Sequence, residues 1–297
     1  MMSGFRDSAH EWAVILAGGD GKRLQELSFL VSGDRRPKQF CSFFGGKSLL
    51  NHTRERLQPV FHEDNTLFAL NRAHEIHYSR QLLDVPPNRK LVQPSNRGTA
   101  PAMAVSVLEI LERDPEATVA FFPSDHHYVT PRVFYSTIDR GLCLAKNYED
   151  RVLIIGAPAT YPEVEYGWIQ PGRAVVESIS NPLQLVTAFW EKPSITEARL
   201  LQESGCLWNT LVVIGLVGAF VELFAATVPD LFKAIASSPS QDALDCTYSK
   251  IESTDFSRDV LAQAPELLLV LRDGPSGWMD LGSPRRAMDV LDALAAS

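Results

Sequence analysis

A short apolar run that leads directly into a glycine-rich turn is the feature that most constrains this chain. Residues 12–17 are apolar and few, which predicts a strand buried on both faces. Gly18, Gly19 and Gly21 follow at once. Glycine adopts positive φ without strain and leaves no Cβ in the way of a ligand. The stretch therefore predicts a strand that ends in a turn open to a ligand.

Cations on both sides of this turn favour phosphate as the ligand. Arg23 lies in the loop itself and Lys38 follows a polar segment. Backbone amides next to cations are typical of phosphate sites. The dinucleotide pattern GxGxxG fails because its third glycine would fall at Leu24, and Walker A fails because its first would fall at Cys41. A phosphate-binding loop of another kind is the favoured interpretation, and a plain turn is the alternative.

The first half of the chain alternates apolar runs with longer amphipathic segments. Predicted strands cover residues 12–17, 66–70, 90–92, 118–122 and 152–156. Predicted helices cover residues 47–57, 73–83 and 99–111. This alternation predicts an α/β fold with a Rossmann-like, mostly parallel sheet flanked by helices.

The rhythm changes after residue 161. Short strand-like segments at 166–170, 174–179 and 185–190 predict a small antiparallel insertion, placed as a lid over the strand ends. Further strands are predicted at 207–214 and 267–271, and further helices at 194–203, 220–236 with a break at Pro229, 256–264 and 284–295. Residues 237–253 are polar and predicted to be irregular. We expect a single domain over 1–297 with its core at about 12–283.

Charge and composition exclude several classes of protein. The chain of 297 residues has a formal net charge of −8, which argues against nucleic acid or an anionic membrane as the main partner. Its apolar runs are far shorter than the ~20 residues of a membrane helix, and the N-terminus has no signal-peptide core. The four cysteines form no CxxC pair, as expected of a reduced protein. We expect a cytoplasmic protein, and a homodimer is compatible with these features.

Two aspartates lie where a metal would meet bound phosphate. Asp125 follows the apolar strand 118–122, and ligands of open α/β sheets bind at that edge. Asp280 lies in a turn flanked by Gly277 and Gly282. Carboxylates suit Mg²⁺, which shares its oxygen ligands with phosphates. A turn-capping role is the alternative for Asp125, and a structural role is the alternative for Asp280. His126 and His127 have no Cys or His cluster nearby, so zinc is not predicted.

Two further motifs each allow a structural and a functional interpretation. In FWEKP, Glu191 and Lys192 either form a surface turn or contact a substrate, Glu191 through a hydroxyl and Lys192 through a phosphate. In LWNT, Asn209 is either a strand cap or a reader of a substrate hydroxyl. No nucleophile motif such as GxSxG is present, which fits a reaction in which one substrate attacks another.

Taken together and in order, these motifs resemble a known family. LAGGDGKRL, RPKQF, NRGTAPA, FPSDH, YGWIQPG, FWEKP, LWNT and WMDLGS resemble the mannose-1-phosphate guanylyltransferases, a branch of the sugar-phosphate nucleotidyltransferases. The resemblance spans about residues 12–283 and implies the nucleotide-diphospho-sugar transferase fold. It implies transfer of a nucleotidyl group from GTP to mannose 1-phosphate with Mg²⁺, giving GDP-mannose and pyrophosphate.

The resemblance also assigns roles to residues. It implies that the triphosphate is held by Gly18, Gly19, Gly21, Arg23 and Lys38, and that base and ribose border Gln93, Asn96, Gly98, Thr99 and Ala100. It implies sugar contacts from Gly167, Glu191 and Asn209, a sugar-phosphate contact from Lys192, and Mg²⁺ on Asp125 and Asp280. Arg23, Lys38 and Lys192 would be the catalytic cations.

The chain departs from the family pattern at four places. Gln25-Glu26 replaces Trp-Pro, Gln93 replaces a glutamate, Gly98 replaces an asparagine, and Thr210-Leu211 replaces Ser-Gly. Base and sugar preference therefore stay open, with glucose 1-phosphate and UTP or ATP as one alternative pair. A non-catalytic sugar-nucleotide-binding regulatory protein is the alternative from another class. Longer members carry a C-terminal isomerase domain; since this chain ends soon after WMDLGS, we expect no isomerase activity.

Overall fold

The computed structural model describes residues 8–43, 46–179, 181–283 and 286–288, and it is built on one nine-stranded sheet. The strands are β1 (Glu11–Leu16), β2 (Thr66–Asn71), β3 (Lys90–Gln93), β4 (Thr118–Pro123), β5 (His126–His127), β6 (Val152–Pro158), β7 (Gly167–Val176), β8 (Leu183–Glu191), β9 (Leu207–Leu216), β10 (Leu268–Arg272) and β11 (Met279–Asp280). The sheet order is β3-β2-β1-β4-β9-β6-β10-β8-β7. The short strands β5 and β11 pair with each other in a separate ribbon.

Helices cover both faces of the sheet, as the alternation predicts. They are α1 (Gln25–Ser32), α2 (Leu49–Leu57), α3 (Glu75–Gln81), α4 (Thr99–Arg113), α5 (Pro131–Ala145), α6 (Ile195–Glu203), α7 (Val217–Thr227), α8 (Pro229–Ala236), α9 (Gln241–Lys250) and α10 (Phe256–Asp259). In the part of the chain described, none of these helices is long and apolar enough to cross a membrane.

The first strand shows why apolar runs form this sheet. β1 pairs in parallel with β2 on one side and with β4 on the other. Ala13 and Ile15 pack into the core cluster on one face, and Trp12 and Val14 pack into the cluster on the opposite face. A strand that is buried on both faces needs apolar residues at every position, so alternation is absent from its sequence.

The antiparallel strands extend the central sheet. β8 pairs with β10, and β7 pairs with both β8 and β9. The antiparallel pairing was predicted correctly, but its placement as a lid over the strand ends was wrong. β7 is also one irregular strand where two were predicted. The register of its pairing with β8 shifts repeatedly after Gln170. Because of these shifts, the sequence of β7 does not show the regular alternation of a single strand.

Two helix predictions also need correction. Residues 237–253 were predicted to be irregular, but they contain α9, whose first turn is capped by Ser240 Oγ, 3.3 Å from the amide of Ala243. The predicted helix over 256–264 ends earlier, at Asp259, and gives way to a 3₁₀ turn. α1 and α5 were not predicted. The helix expected over 284–295 falls almost wholly outside the described residues.

The segment between α9 and α10 is bonded to the start of α4. The amide of Thr254 donates to the carbonyl of Arg97 at 2.9 Å, and the Thr254 carbonyl accepts from the amide of Ala100 at 3.2 Å. The amide of Phe256 donates to Thr99 Oγ1 at 2.8 Å. A Cβ on Gly98 would lie 2.2 Å from the Thr254 carbonyl oxygen. Only glycine lets these two segments approach so closely.

A Gly98→Ala variant tests this contact. Gly98 has φ 91° and ψ −178°, a region essentially restricted to glycine, and the added methyl would also clash. We expect G98A to lower the free energy of unfolding by about 3 kcal/mol in chemical denaturation. Gly33→Ala is the matched control, because Gly33 also has positive φ but has open space around its Cβ position. G33A should cost only about 1 kcal/mol; equal losses would show that the Thr254 contact is unimportant.

Candidate active site

The predicted functional residues converge on one cleft of about 520 Å³ at the carboxyl ends of the parallel strands. The loop after β1 contributes Gly18, Gly19 and Gly21, and the turn after β4 contributes Asp125. In open α/β sheets, ligands bind at this edge. The cleft is lined by all the predicted residues except two: Gly18, Gly19, Gly21, Arg23, Lys38, Gln93, Asn96, Gly98, Thr99, Asp125, Gly167, Glu191, Asn209 and Asp280.

The glycine loop is packed against the segment that carries Lys38. Gly21 has φ 61°, and a Cβ there would lie 2.8 Å from the backbone nitrogen of Lys38. The buried amide of Gln39 donates to the carbonyls of Ala17 at 2.9 Å and Gly19 at 2.7 Å. Gly19 itself has open space at its Cβ position. Gln39, which the sequence analysis did not single out, therefore ties the loop to the Lys38 segment and leaves Gly19 open.

Lys38 joins the two aspartates that were predicted to bind metal. Its Nζ forms an ion pair with Asp125 and lies 3.5 Å from Asp280 Oδ1. Asp280 reaches this position because β11 pairs with β5, which sets Asp280 opposite His126, the neighbour of Asp125. The three side chains expose only 15–19% of their surface. Two carboxylates from distant parts of the chain thus share one buried cation.

Arg286 contacts Asp280 from the other side. Its Nε donates to the Asp280 carbonyl at 2.8 Å, and its Nη2 lies 3.4 Å from Oδ2 of the same residue. Nη1 binds Glu163 at 2.8 Å, and the guanidinium lies over the ring of Tyr166. Burial by itself would raise the pKa of Asp280, but Lys38 and Arg286 hold that pKa below its ordinary value. Asp280 is therefore kept ionised inside the protein.

The donor set at this point suits a hard cation that is bound together with a phosphate. Asp125 and Asp280 bring their carboxylates to the same ammonium group, so both can face one cation. Within the described ranges no cluster of three or more metal-binding side chains is found. Mg²⁺ is commonly held by one or two carboxylates, with waters and substrate phosphates completing its shell. His126 Nδ1 accepts a hydrogen bond from Trp278 Nε1 at 3.1 Å, consistent with a supporting role.

The residues predicted to contact a sugar lie together in the wall of the cleft. A Cβ on Gly167 would lie 2.9 Å from Glu191 Oε2 and 3.1 Å from Asn209 Cβ. Burial raises the pKa of Glu191, although Lys192 acts in the opposite direction. Asn209 lies inside β9 rather than at its end, and its Oδ1 accepts from the amide of Leu211 at 2.9 Å. Nδ2 of Asn209 donates to Ser257 Oγ at 3.2 Å.

The two predicted site residues that do not line the cleft are Lys192 and Ala100. Lys192 Nζ lies 2.9 Å from Glu191 Oε1, and half of its side chain is exposed. Ala100 is completely buried, and its amide donates to the Thr254 carbonyl. Lys192 therefore reaches the cleft only through its ion pair with Glu191, and Ala100 supports the start of α4.

The remaining predicted residues are engaged with neighbouring protein groups. Arg23 forms an ion pair with Glu165, which also lines the cleft. Tyr248, on α9, donates from its hydroxyl to Gln93 Oε1 at 3.0 Å. Asn96 Oδ1 accepts from the amide of Gly98 at 3.0 Å. α9 therefore supports the loop that was predicted to border the base.

Several cleft residues were missed by sequence reasoning. They are Gln39, Glu165, Tyr166, Leu211, Asp255, Ser257 and Trp278. Asp255 and Ser257 follow α9 in a part of the chain that carries no motif. Tyr166, Leu211 and Trp278 lie inside or next to quoted motifs, so their positions were a usable signal. Arg286 was missed because no motif reaches it.

Comparison with known proteins decides the family. Residues 12–297 match the model of the nucleotidyl transferase family. The chain belongs to this family. A mannose-1-phosphate guanylyltransferase of Escherichia coli is 26% identical over 285 residues, which are 91% of this chain and 59% of the relative. One from Klebsiella pneumoniae is 29% identical over 286 residues, 91% of this chain and 58% of the relative.

A solved structure agrees with the fold. The crystal structure titled mannose-1-phosphate geranyltransferase, from Thermus thermophilus, superposes with a TM-score of 0.80 at 30% identity. The match covers 92% of this chain and 76% of that one. The α/β fold with a largely parallel central sheet is thereby confirmed. The chain spans somewhat under two thirds of the length of the curated relatives described above.

Replacing Lys38 with methionine tests the cation site. Without divalent metal, K38M should melt at a lower temperature, because Asp125 and Asp280 lose their shared ammonium group. Breaking such a buried pair costs about 3 kcal/mol. Mg²⁺ should restore more stability to K38M than it adds to the unchanged protein, since the carboxylates then bind the metal instead.

Thermal unfolding with and without Mg²⁺ measures both effects. Lys22→Met is the matched control, because Lys22 lies in the glycine loop that packs against the Lys38 segment but its side chain is 79% exposed. The control should melt like the unchanged protein in both conditions. If Mg²⁺ shifted K38M and the unchanged protein equally, the two aspartates would not form a cation site.

Proposed function

We propose that this protein is a Mg²⁺-dependent mannose-1-phosphate guanylyltransferase, which converts GTP and mannose 1-phosphate into GDP-mannose and pyrophosphate. The observation that carries the proposal is the cleft itself. Lys38, Asp125 and Asp280 converge beside a glycine loop, and Gly167 and Glu191 line the same cleft. The names of the two curated relatives, both mannose-1-phosphate guanylyltransferases, support the choice of substrates.

The reaction requires alignment of two anions more than activation of a nucleophile. A phosphate oxygen of the sugar 1-phosphate forms a bond to the α-phosphorus of GTP, and the bond from that phosphorus to the β-bridging oxygen breaks. The attacking oxygen is already anionic, so no general base is needed. Catalysis then depends on positioning the two substrates and on neutralising the charge that grows on pyrophosphate.

The two cations and the two aspartates beside the glycine loop have separate tasks in this scheme. The backbone of Gly18, Gly19 and Gly21 approaches the triphosphate closely, and Arg23 and Lys38 neutralise the departing pyrophosphate. Arg23 leaves Glu165 and Lys38 leaves its carboxylate partners for phosphate oxygens when substrates bind. Held by Asp125 and Asp280, Mg²⁺ would offset the negative charge of both phosphates.

The glutamine at position 93 supports a second candidate pair of substrates. Its side-chain amide lines the cleft and is held by Tyr248, where the guanylyltransferase pattern has a glutamate. An amide offers both a donor and an acceptor to a base, whereas a carboxylate offers only acceptors. The second candidate is therefore the same transfer with another pair, such as glucose 1-phosphate with UTP or ATP.

Pyrophosphate release tests the proposal directly. The protein is assayed with Mg²⁺, each of four nucleoside triphosphates and several sugar 1-phosphates. We expect the highest kcat/KM with GTP and mannose 1-phosphate. A higher kcat/KM with another pair would show that the protein catalyses the same reaction on other substrates. No release with any pair would overturn the enzyme and favour a sugar-nucleotide-binding regulator.

A Lys192→Ala variant tests the sugar-phosphate assignment. Lys192 pairs with Glu191, which lines the cleft beside Gly167. K192A should raise the KM for mannose 1-phosphate about tenfold and leave the KM for GTP nearly unchanged, since only one charge-assisted contact is lost. Steady-state kinetics with each substrate varied in turn measures both. The exposed Lys233→Ala on α8 is the control, and equal kinetics in both variants would remove Lys192 from the site.

A further inference from the structure

β9 carries a bulge at the point where it borders the cleft. Opposite it, β6 pairs Ile154 with Val213 but Gly156 with Asn209. Three residues of β9 therefore occupy the length that one residue, Ile155, occupies on β6. Bulges of this kind bend a strand and redirect a side chain, and they are frequent beside active sites.

The bulge places Leu211 in a left-handed backbone conformation. Leu211 has φ 53°, and in the described part of the chain only Lys192 shares a positive φ without being glycine. A branched side chain is disfavoured there by contact between its Cβ and the backbone. The conformation is held by hydrogen bonds: the Leu211 amide donates to Asn209 Oδ1, and Thr210 Oγ1 donates to the Ile155 carbonyl at 2.7 Å. The structure thus retains a strained leucine where glycine would fit without strain.

The side chain of Leu211 forms part of the cleft wall. It lines the cleft together with Gly167, Glu191 and Asn209, and it packs against the apolar core cluster behind. The side chain of Asn209 accepts from the Leu211 backbone amide through Oδ1 and donates to Ser257 Oγ through Nδ2, so it links Leu211 to Ser257. At this position the wall is apolar and filled, backed by core residues that cannot move far.

We propose that Leu211 limits the size of the sugar that the cleft accepts, so that hexose 1-phosphates enter and sugar 1-phosphates with an N-acetyl substituent are excluded. The inference rests on the proposed function. An N-acetyl group is several atoms larger than the hydroxyl it replaces, and a filled wall on a rigid core cannot make room for it. One extra methylene against a packed wall already changes discrimination by about 10-fold to 200-fold.

The test compares Leu211→Ala and Leu211→Gly with the unchanged protein. For each, kcat/KM is measured with a hexose 1-phosphate and with the matching N-acetylhexosamine 1-phosphate at saturating nucleotide. We expect kcat/KM for the hexose 1-phosphate, divided by kcat/KM for the N-acetylhexosamine 1-phosphate, to fall at least about tenfold in both variants. The reason is that shortening the side chain opens the wall to the larger sugar. Leu200→Ala is the matched control, because Leu200 is 59% exposed on α6 and outside the cleft, and its ratio should not change.

Thermal unfolding shows whether the variants are folded and whether the positive φ at position 211 destabilises residues other than glycine. L211G should melt above L211A, since glycine adopts positive φ freely and alanine does not. An unchanged ratio in two folded variants would overturn the proposal. If no pair of substrates releases pyrophosphate, the proposed function fails separately. In that case the size limit is tested by calorimetric binding of the two sugar phosphates to the unchanged protein and to L211A. The ratio of their two association constants then takes the place of the kcat/KM ratio.

Discussion

The ion pairs of Lys38 with Asp125 and Asp280 are the interaction on which the site depends. The three side chains come from a 3₁₀ turn after α1, the turn after β4 and the ribbon strand β11, and they meet largely out of solvent. An uncompensated buried charge costs several kcal/mol, so none of the three is stable there without the others. The β5–β11 pairing is what brings them together, and Arg286 completes the balance of charge.

Backbone strain is found among the residues near the predicted sugar contacts. Lys192 and Leu211 both hold positive φ, a conformation that costs a residue other than glycine about 1–2 kcal/mol. Leu211 lines the cleft itself, and Lys192 follows Glu191, which also lines it. Such strain persists only where neighbouring bonds determine the backbone, and it is commonly found at functional sites. The two parts of the site are thus held by different means, charge balance around Lys38 and hydrogen bonds that impose backbone strain at Leu211.

Much of the fold could be predicted because its signals are local. An apolar run such as that of β1 or β4 is enough to indicate a strand buried on both faces, and Asp125 follows from its place after such a strand. α9 could not be predicted because its sequence is polar and only Tyr248 of its residues is buried. The placement of β7 and β8 was also out of reach, since strand pairing depends on partners distant in the chain.

The sequence by itself determined the kinds of group and their order: a glycine turn, Lys38, two aspartates at turns, and Glu191 and Asn209 near strand ends. Only the tertiary structure decided which of them face the cleft. It put Gln39, Leu211 and Ser257 into the wall and directed Lys192 toward Glu191. The reason is physical. Residue chemistry and local periodicity are properties of short segments, whereas a side chain's neighbours depend on register, bulges and loop paths that the whole fold sets.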